Sequence, residues 1–103
     1  MVAFPLTFNT ANKVAAGVMD TPACGVLCDA LGARVPIIAM PMVNDRLWGH
    51  PTWAATLRVL ADAGARLLDP WTGAVGRPQA IPSGTGPDAV AAFDAKWISE
   101  AAG

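Results

Sequence analysis

Residues 35–51 read VPIIAMPMVNDRLWGHP, and the architecture follows from them. Its first part, Val35 to Met40, is almost wholly apolar and short, which fits a strand covered on both faces rather than an alternating half-buried one. Pro36 stands at its beginning and Pro41 at its end, the two places where a strand tolerates proline. The apolar run Val35–Val43 is about half the length a membrane-spanning helix needs. A strand buried on both faces requires helices above and below it, and the sequence on either side supplies them.

Upstream, Asp20 suits an N-cap and Pro22 the first turn of a helix reaching Leu31, with Gly32 ending it. Before it, Thr10–Ala16 reads as a short helix stopped by Gly17 in the C′ position. A stub of strand, Val2-Ala3-Phe4, precedes that and ends at Pro5. Downstream, a helix runs from His50-Pro51 to Ala63. Trp53, Leu57, Leu60 and Ala61 share one face of it, and Gly64 closes it. Arg66-Leu67-Leu68 reads as a second complete strand, ended by Asp69-Pro70. Residues 71–87 hold four Gly and three Pro without periodicity and read as a loop. A C-terminal helix over 88–101 follows, with Val90, Phe93, Trp97 and Ile98 on its buried stripe.

Alternating strands and helices predict an α/β fold: a Rossmann-like, three-layer parallel sheet with helices on both faces and right-handed crossovers. Two full strands and a stub are few for such a sheet. Residues 1–103 therefore read as a single, partial domain, truncated at its N-terminal half, with exposed strand edges that invite association.

Composition narrows the function. With 53% apolar and 15% charged residues in 103, the chain is too apolar to be disordered. A net charge of −1 leaves no basic field for a phosphate backbone, so a nucleic-acid partner is not expected. No spanning segment and no signal peptide are evident, which predicts no membrane partner and a cytoplasmic location. Cys24 and Cys28, four apart, have poor disulfide geometry on a helix and read as small apolar fillers. With His50 the lone histidine, no metal site is expected.

Ligands of open parallel sheets bind beyond the carboxyl ends of the strands, and two polar turns lie at such ends. The first, Pro5-Leu6-Thr7-Phe8-Asn9-Thr10, offers two hydroxyls, an amide and free helix N–H groups. These suit a phosphate or the polar edge of a flavin, unless Asn9 or Thr10 merely caps the helix. The second turn runs from Pro41 to Pro51. Its Asn44 can donate to a carboxylate or carbonyl while Met42 and Trp48 wall off water. The plain alternative is a loop with Asp45 and Arg46 solvated and Trp48 as a packing anchor. His50 reads as a cap more readily than as an acid or base, and Lys13 and Asp20 as solvated or capping residues.

Together the two turns carry a resemblance. The sequence resembles the flavoprotein family that includes phosphopantothenoylcysteine decarboxylase, the lantibiotic peptidyl-cysteine decarboxylases and, more remotely, the flavin prenyltransferases. That family has a PASANT motif, a helix with Lys, then G-I-A-D, and later PxMNxxMW. Here the first stands as Pro5–Thr10, Lys13 and Gly17-Val18-Met19-Asp20, and the second as Pro41–Trp48. The resemblance covers about residues 1–70. It implies a Rossmann-like FMN-binding fold in a homo-oligomer, usually trimeric, with flavin and substrate held between subunits. It implies FMN contacts for Thr7, Phe8, Asn9 and Thr10. Asn44 would act on the substrate carboxylate, with Leu47 and Trp48 beside the substrate. The implied reaction is an oxidative decarboxylation of a cysteinyl carboxyl end, the flavin taking two electrons; the substrate is a cysteine-containing small molecule or a peptide C-terminus.

The family's phosphate loop and catalytic His have no counterpart here, so a missing N-terminal half or a complementing flavoprotein chain is expected to supply them. The glycine-rich stretch after the last strand lacks the Cys of the pantothenate branch, which disfavours that particular substrate. The alternative expectation is a non-catalytic interaction or regulatory fragment that docks on a full-length flavoprotein.

Overall fold

A computed structural model describes residues 1–102. The elements in chain order are β1 (Val2–Leu6), α1 (Phe8–Ala15), α2 (Pro22–Gly32), β2 (Ile38–Pro41), α3 (Asp45–Trp48), α4 (Trp53–Asp62), β3 (Arg66–Leu67), α5 (Gly86–Ala92) and α6 (Lys96–Ala102). The three strands form one parallel sheet in the order β1-β2-β3, with Ile38 opposite both Val2 and Arg66.

Strand pleating, interrupted in β1 by a register shift between Ala3 and Leu6, distributes the strand residues between two faces. Ala3, Leu6, Ile37, Ala39 and Leu67 pack with α1, α2 and α4 in one apolar cluster. Phe4, Ile38, Met40 and Leu68 pack on the opposite side with Phe93, Trp97, Ile98 and Ala101. The result is the expected three-layer α/β arrangement, and every residue of β2 is buried because both faces are covered.

Several boundaries differ from the sequence reading, each for a local reason. β1 continues through Pro5 to Leu6, whose carbonyl accepts from Met42 N at 2.9 Å. Proline lacks only the donor, and on this edge strand the acceptor side suffices. Helix α1 starts at Phe8 rather than Thr10 because the cap is Thr7, whose hydroxyl accepts from Thr10 N at 3.2 Å. Helix α2 is capped by Thr21, not Asp20: its hydroxyl accepts from Cys24 N at 3.1 Å, with Pro22 at the first helical position. Gly32 lies inside α2. The left-handed residue that ends it is Arg34, at φ 59°, with Val35 N bonded back to Ala30 O at 2.9 Å. Gly17 and Gly64 do end α1 and α4 with positive φ, as expected. Within α4 the buried residues are Trp53, Thr56 and Leu60, while Ala61 is exposed.

The single helix expected over 88–101 is two. Phe93 leaves helical geometry at ψ 134° and stacks on Phe4, ring centroids 4.8 Å apart. Asp94 then restarts the chain, its carboxylate accepting from Lys96 N at 2.9 Å. Val90, expected on the buried stripe, is exposed.

The two edges of the sheet are finished differently. Residues 71–87 are not a featureless loop. The chain turns on Asp69, which accepts at one carboxylate oxygen from Thr72 N (3.1 Å) and Thr72 Oγ1 (2.8 Å). It then runs back antiparallel along β3, with Asp69 N bonded to Ala74 O (3.0 Å) and Gly76 N to Leu67 O (2.8 Å). Gly73, at φ 73°, lies so close under Trp97 that a Cβ there would fall 2.3 Å from the indole. The outer edge of β1 has no strand beside it among the described residues, and Met1 and Val2 are exposed.

Candidate functional site

Because β1 and β2 are parallel neighbours, the turns that follow them emerge at the same end of the sheet. Asn9 and Asn44 are therefore not on opposite sides of the molecule. The backbone bond from Met42 N to Leu6 O ties the two turns together at their roots.

The side chains meet through one residue that sequence reasoning placed only as core. Trp53, at the start of α4, is 1% exposed. Phe8 of the first turn packs against it at 5.3 Å between centroids, and Trp48 of the second packs edge-on at 5.6 Å. His50 adds an edge contact to Phe8 at 5.6 Å. Each such aromatic pair is worth about 0.5–1.5 kcal/mol beyond its area burial. Trp53 Nε1 is buried with no acceptor. Nor does any local pattern foretell the bond from Thr56 Oγ1 to Asn12 Oδ1 at 2.6 Å, which locks α4 to α1.

The individual site residues are placed as follows. Thr7 spends its hydroxyl on the α1 cap, and Asn9 is exposed in the first turn of that helix. The N–H groups of Phe8 and Asn9 are among those an α-helix leaves without internal partners. Thr10 faces away from Phe8, lining a hollow of 470 Å³ along the free edge of β1 with Pro5, Pro22 and Val26. Phe8 lines another hollow, of 510 Å³, with Asn12, His50 and Thr56. The structure thus joins Phe8 to Trp48 but separates Thr10 from them.

Asn44 caps the one-turn helix α3, its Oδ1 accepting from Leu47 N at 2.9 Å, which leaves its amide N–H₂ uncommitted. Its backbone is held from the far side by the Gly/Pro-rich segment: Asp45 N donates to Ile81 O at 3.0 Å and Ile81 N to Val43 O at 2.9 Å. Leu47 is 40% exposed. Asp45 and Arg46 are exposed, as the plain reading had them. His50 behaves as a cap, its Nδ1 lying 3.1 Å from Thr52 N.

Lys13 and Asp20 pair with each other at 2.9 Å, and the bond to Asp20 raises the lysine pKa above its ordinary value. Cys24 is buried and Cys28 half-buried, both as free thiols, and no metal-ligating group of three side chains occurs among the described residues.

Residues 1–86 match the family described as Flavoprotein. The chain belongs to that family. Among curated relatives, the coenzyme A biosynthesis bifunctional protein CoaBC of Thermococcus kodakarensis is 32% identical over 66 residues, covering 64% of this chain and 16% of that one. A cysteine/cysteine sulfinic acid decarboxylase from an unknown prokaryotic organism is 32% identical over 69 residues, covering 67% of this chain and 18% of the relative. Among solved structures, a cysteine-to-serine mutant of PPC decarboxylase superposes with a TM-score of 0.61 at 29% identity, over 75% of this chain and 44% of that chain. The chain thus spans less than a fifth of the curated relatives it matches and under half of the solved one.

Family membership implies a flavin, and the donor set fits part of one. Asn9, the free N–H groups of α1 and the Asn44 amide are neutral donors suited to carbonyl and hydroxyl acceptors, beside an aromatic wall of Phe8 and Trp48. No helix among the described residues is long and apolar enough to cross a membrane.

Proposed function

We propose that the chain forms one side of the FMN and substrate pocket of a cysteine-decarboxylase-like flavoprotein, which removes CO₂ oxidatively from a cysteinyl carboxyl end. The observation that carries this reading is the convergence of Phe8 and Trp48 on Trp53, which fixes the two turns against each other beyond adjacent parallel strands.

Bound flavin supplies a two-electron acceptor. This chain's residues bind and orient. Asn9 and the α1 N–H groups hold polar atoms of FMN, with Phe8 against its rings; Thr7 serves by capping α1, and Thr10 reaches the flavin only from the β1-edge hollow it lines. Asn44 presents its free amide N–H₂ to the substrate carboxylate. A neutral donor is the appropriate choice, because a cation would stabilise the ground-state carboxylate more than a transition state losing its charge to CO₂. Leu47 and Trp48 exclude water beside it. The remaining groups of the pocket come from residues outside 1–103, whether of the same chain, of a complementing flavoprotein chain or of neighbouring copies in a homo-oligomer, for which the resemblance suggests a trimer in the cytoplasm.

The test is the visible absorbance of bound flavin in the purified chain, alone and mixed with the product of the adjoining upstream reading frame. Flavin retained through gel filtration in either sample is expected; none in both overturns the reading. The open β1 edge favours a second reading, a non-catalytic fragment that docks on a full-length flavoprotein. Asn44→Asp separates the two. Aspartate preserves the α3 cap but replaces the amide donor with a like charge for a carboxylate. On the catalytic reading it abolishes turnover with assembly intact; on the docking reading it changes nothing.

A further inference from the structure

The cationic side chains are unevenly spread. Of the seven Lys and Arg residues, three line one groove of 540 Å³. Arg58 comes from α4, Arg66 opens β3, and Arg77 follows Gly76, the residue bonded to Leu67 O. Arg77 is thus carried there by the same return strand that seals the β3 edge. The groove lies at the amino-terminal end of β3, whereas the two asparagine turns follow the carboxyl ends of β1 and β2. Its floor is apolar, made by Leu57, Ala61 and Leu67, and no acidic side chain lines it.

None of the three arginines forms an ion pair, the one such pair among the described residues being Lys13–Asp20. Three like charges around one hollow repel one another, and no side chain lining the groove carries an opposite charge. The groove falls within the range of about 300–1,000 Å³ usual for small-molecule sites. Guanidinium groups are planar forks matched to oxyanions.

We propose that this groove binds a small organic oxyanion, with a phosphate or carboxylate held by Arg58, Arg66 and Arg77 and an apolar body lying on Leu57, Ala61 and Leu67. A bare inorganic ion would leave the apolar floor wet, and a nucleic-acid backbone would need a longer basic track than three residues. The site is independent of the flavin reading, since none of these residues belongs to either turn.

The test titrates the full chain with phenyl phosphate and, separately, benzoate, following backbone amide shifts by NMR, with inorganic phosphate as the charge-only control. Saturable shifts are expected at Arg66, Gly76 and Arg77 with at least one aromatic anion, and the responding arm identifies the head group. The triple variant R58Q/R66Q/R77Q is expected to bind at least about tenfold more weakly, equivalent to about 1.4 kcal/mol. R46Q, which removes an exposed arginine outside the groove, is expected to bind unchanged. All three substituted side chains are exposed, so the variant folds, and its spectrum verifies this. Absence of saturation with both aromatic anions up to about 10 mM, weaker than any useful site, overturns the proposal. So does undiminished binding by the triple variant, and equal affinity for inorganic phosphate overturns the role of the apolar floor.

Discussion

The two edges of this small sheet contrast sharply. At β3 the chain seals its own edge: Asp69 and Thr72 make the turn, residues 74–76 run back along the strand, and Trp97 presses on Gly73 from above. At β1 the backbone beyond Met1–Leu6 meets no strand, and the hollow beside it is lined largely by apolar residues of β1 and α2. One edge is finished by the chain itself; the other is left open among the described residues. Unpaired N–H and C=O groups beside apolar surface favour pairing with another chain.

The contrast can be broken first at its closed side. Gly73→Ala forces a Cβ into the Trp97 indole at a positive φ, and should cost about 2–4 kcal/mol from strain and overpacking combined. Urea unfolding measures the loss, and faster hydrogen exchange at Gly76 N–H would locate it at the β3 edge. Asp69→Ala removes two bonds to Thr72 and should cost about 1–3 kcal/mol in the same assay. At the open side, Val2→Lys places a charge on the free edge. Its effect on stability should stay within about 0.5 kcal/mol, while light scattering shows less self-association than the parent chain.

Smallest is the surface pair near the first turn. Lys13 has a pKa raised by its bond to Asp20, so its contribution is complete below the ordinary value of 10.5 and is lost as pH climbs through the raised one. Lys13→Met should leave the melting temperature near neutral pH almost unchanged and flatten its alkaline dependence.

The order of the three strands and of α1, α2 and α4 was legible because it rests on local patterns: the apolar β2, the closing glycines Gly17 and Gly64, and the spacing of Trp53 and Leu60; the one-turn α3 and the break between α5 and α6 were not. The site turns were legible as motifs at strand ends. What escaped was set by choices among equals or by long-range contacts. Thr7, Asn9 and Thr10 are all capping residues, and only the folded backbone shows that Thr7 takes the role. Arg34 in the left-handed position has no sequence signal, since a residue of its type is strained there by about 1–2 kcal/mol. The return strand after Asp69 and the Asn44–Ile81 bridge join segments with no periodicity of their own. Asn12 and Thr56, 44 residues apart, reveal their bond only once α1 and α4 are packed.

Trp53 has a further consequence for how the protein can be watched. An indole wedged between Phe8 and Trp48 shares its excited state with neighbours from both turns. A yellow chromophore seated over those turns would drain that excitation by resonance transfer. Replacing the other three tryptophans, Trp48, Trp71 and Trp97, by phenylalanine would leave a single emitter whose dimming reports occupancy of the pocket in real time.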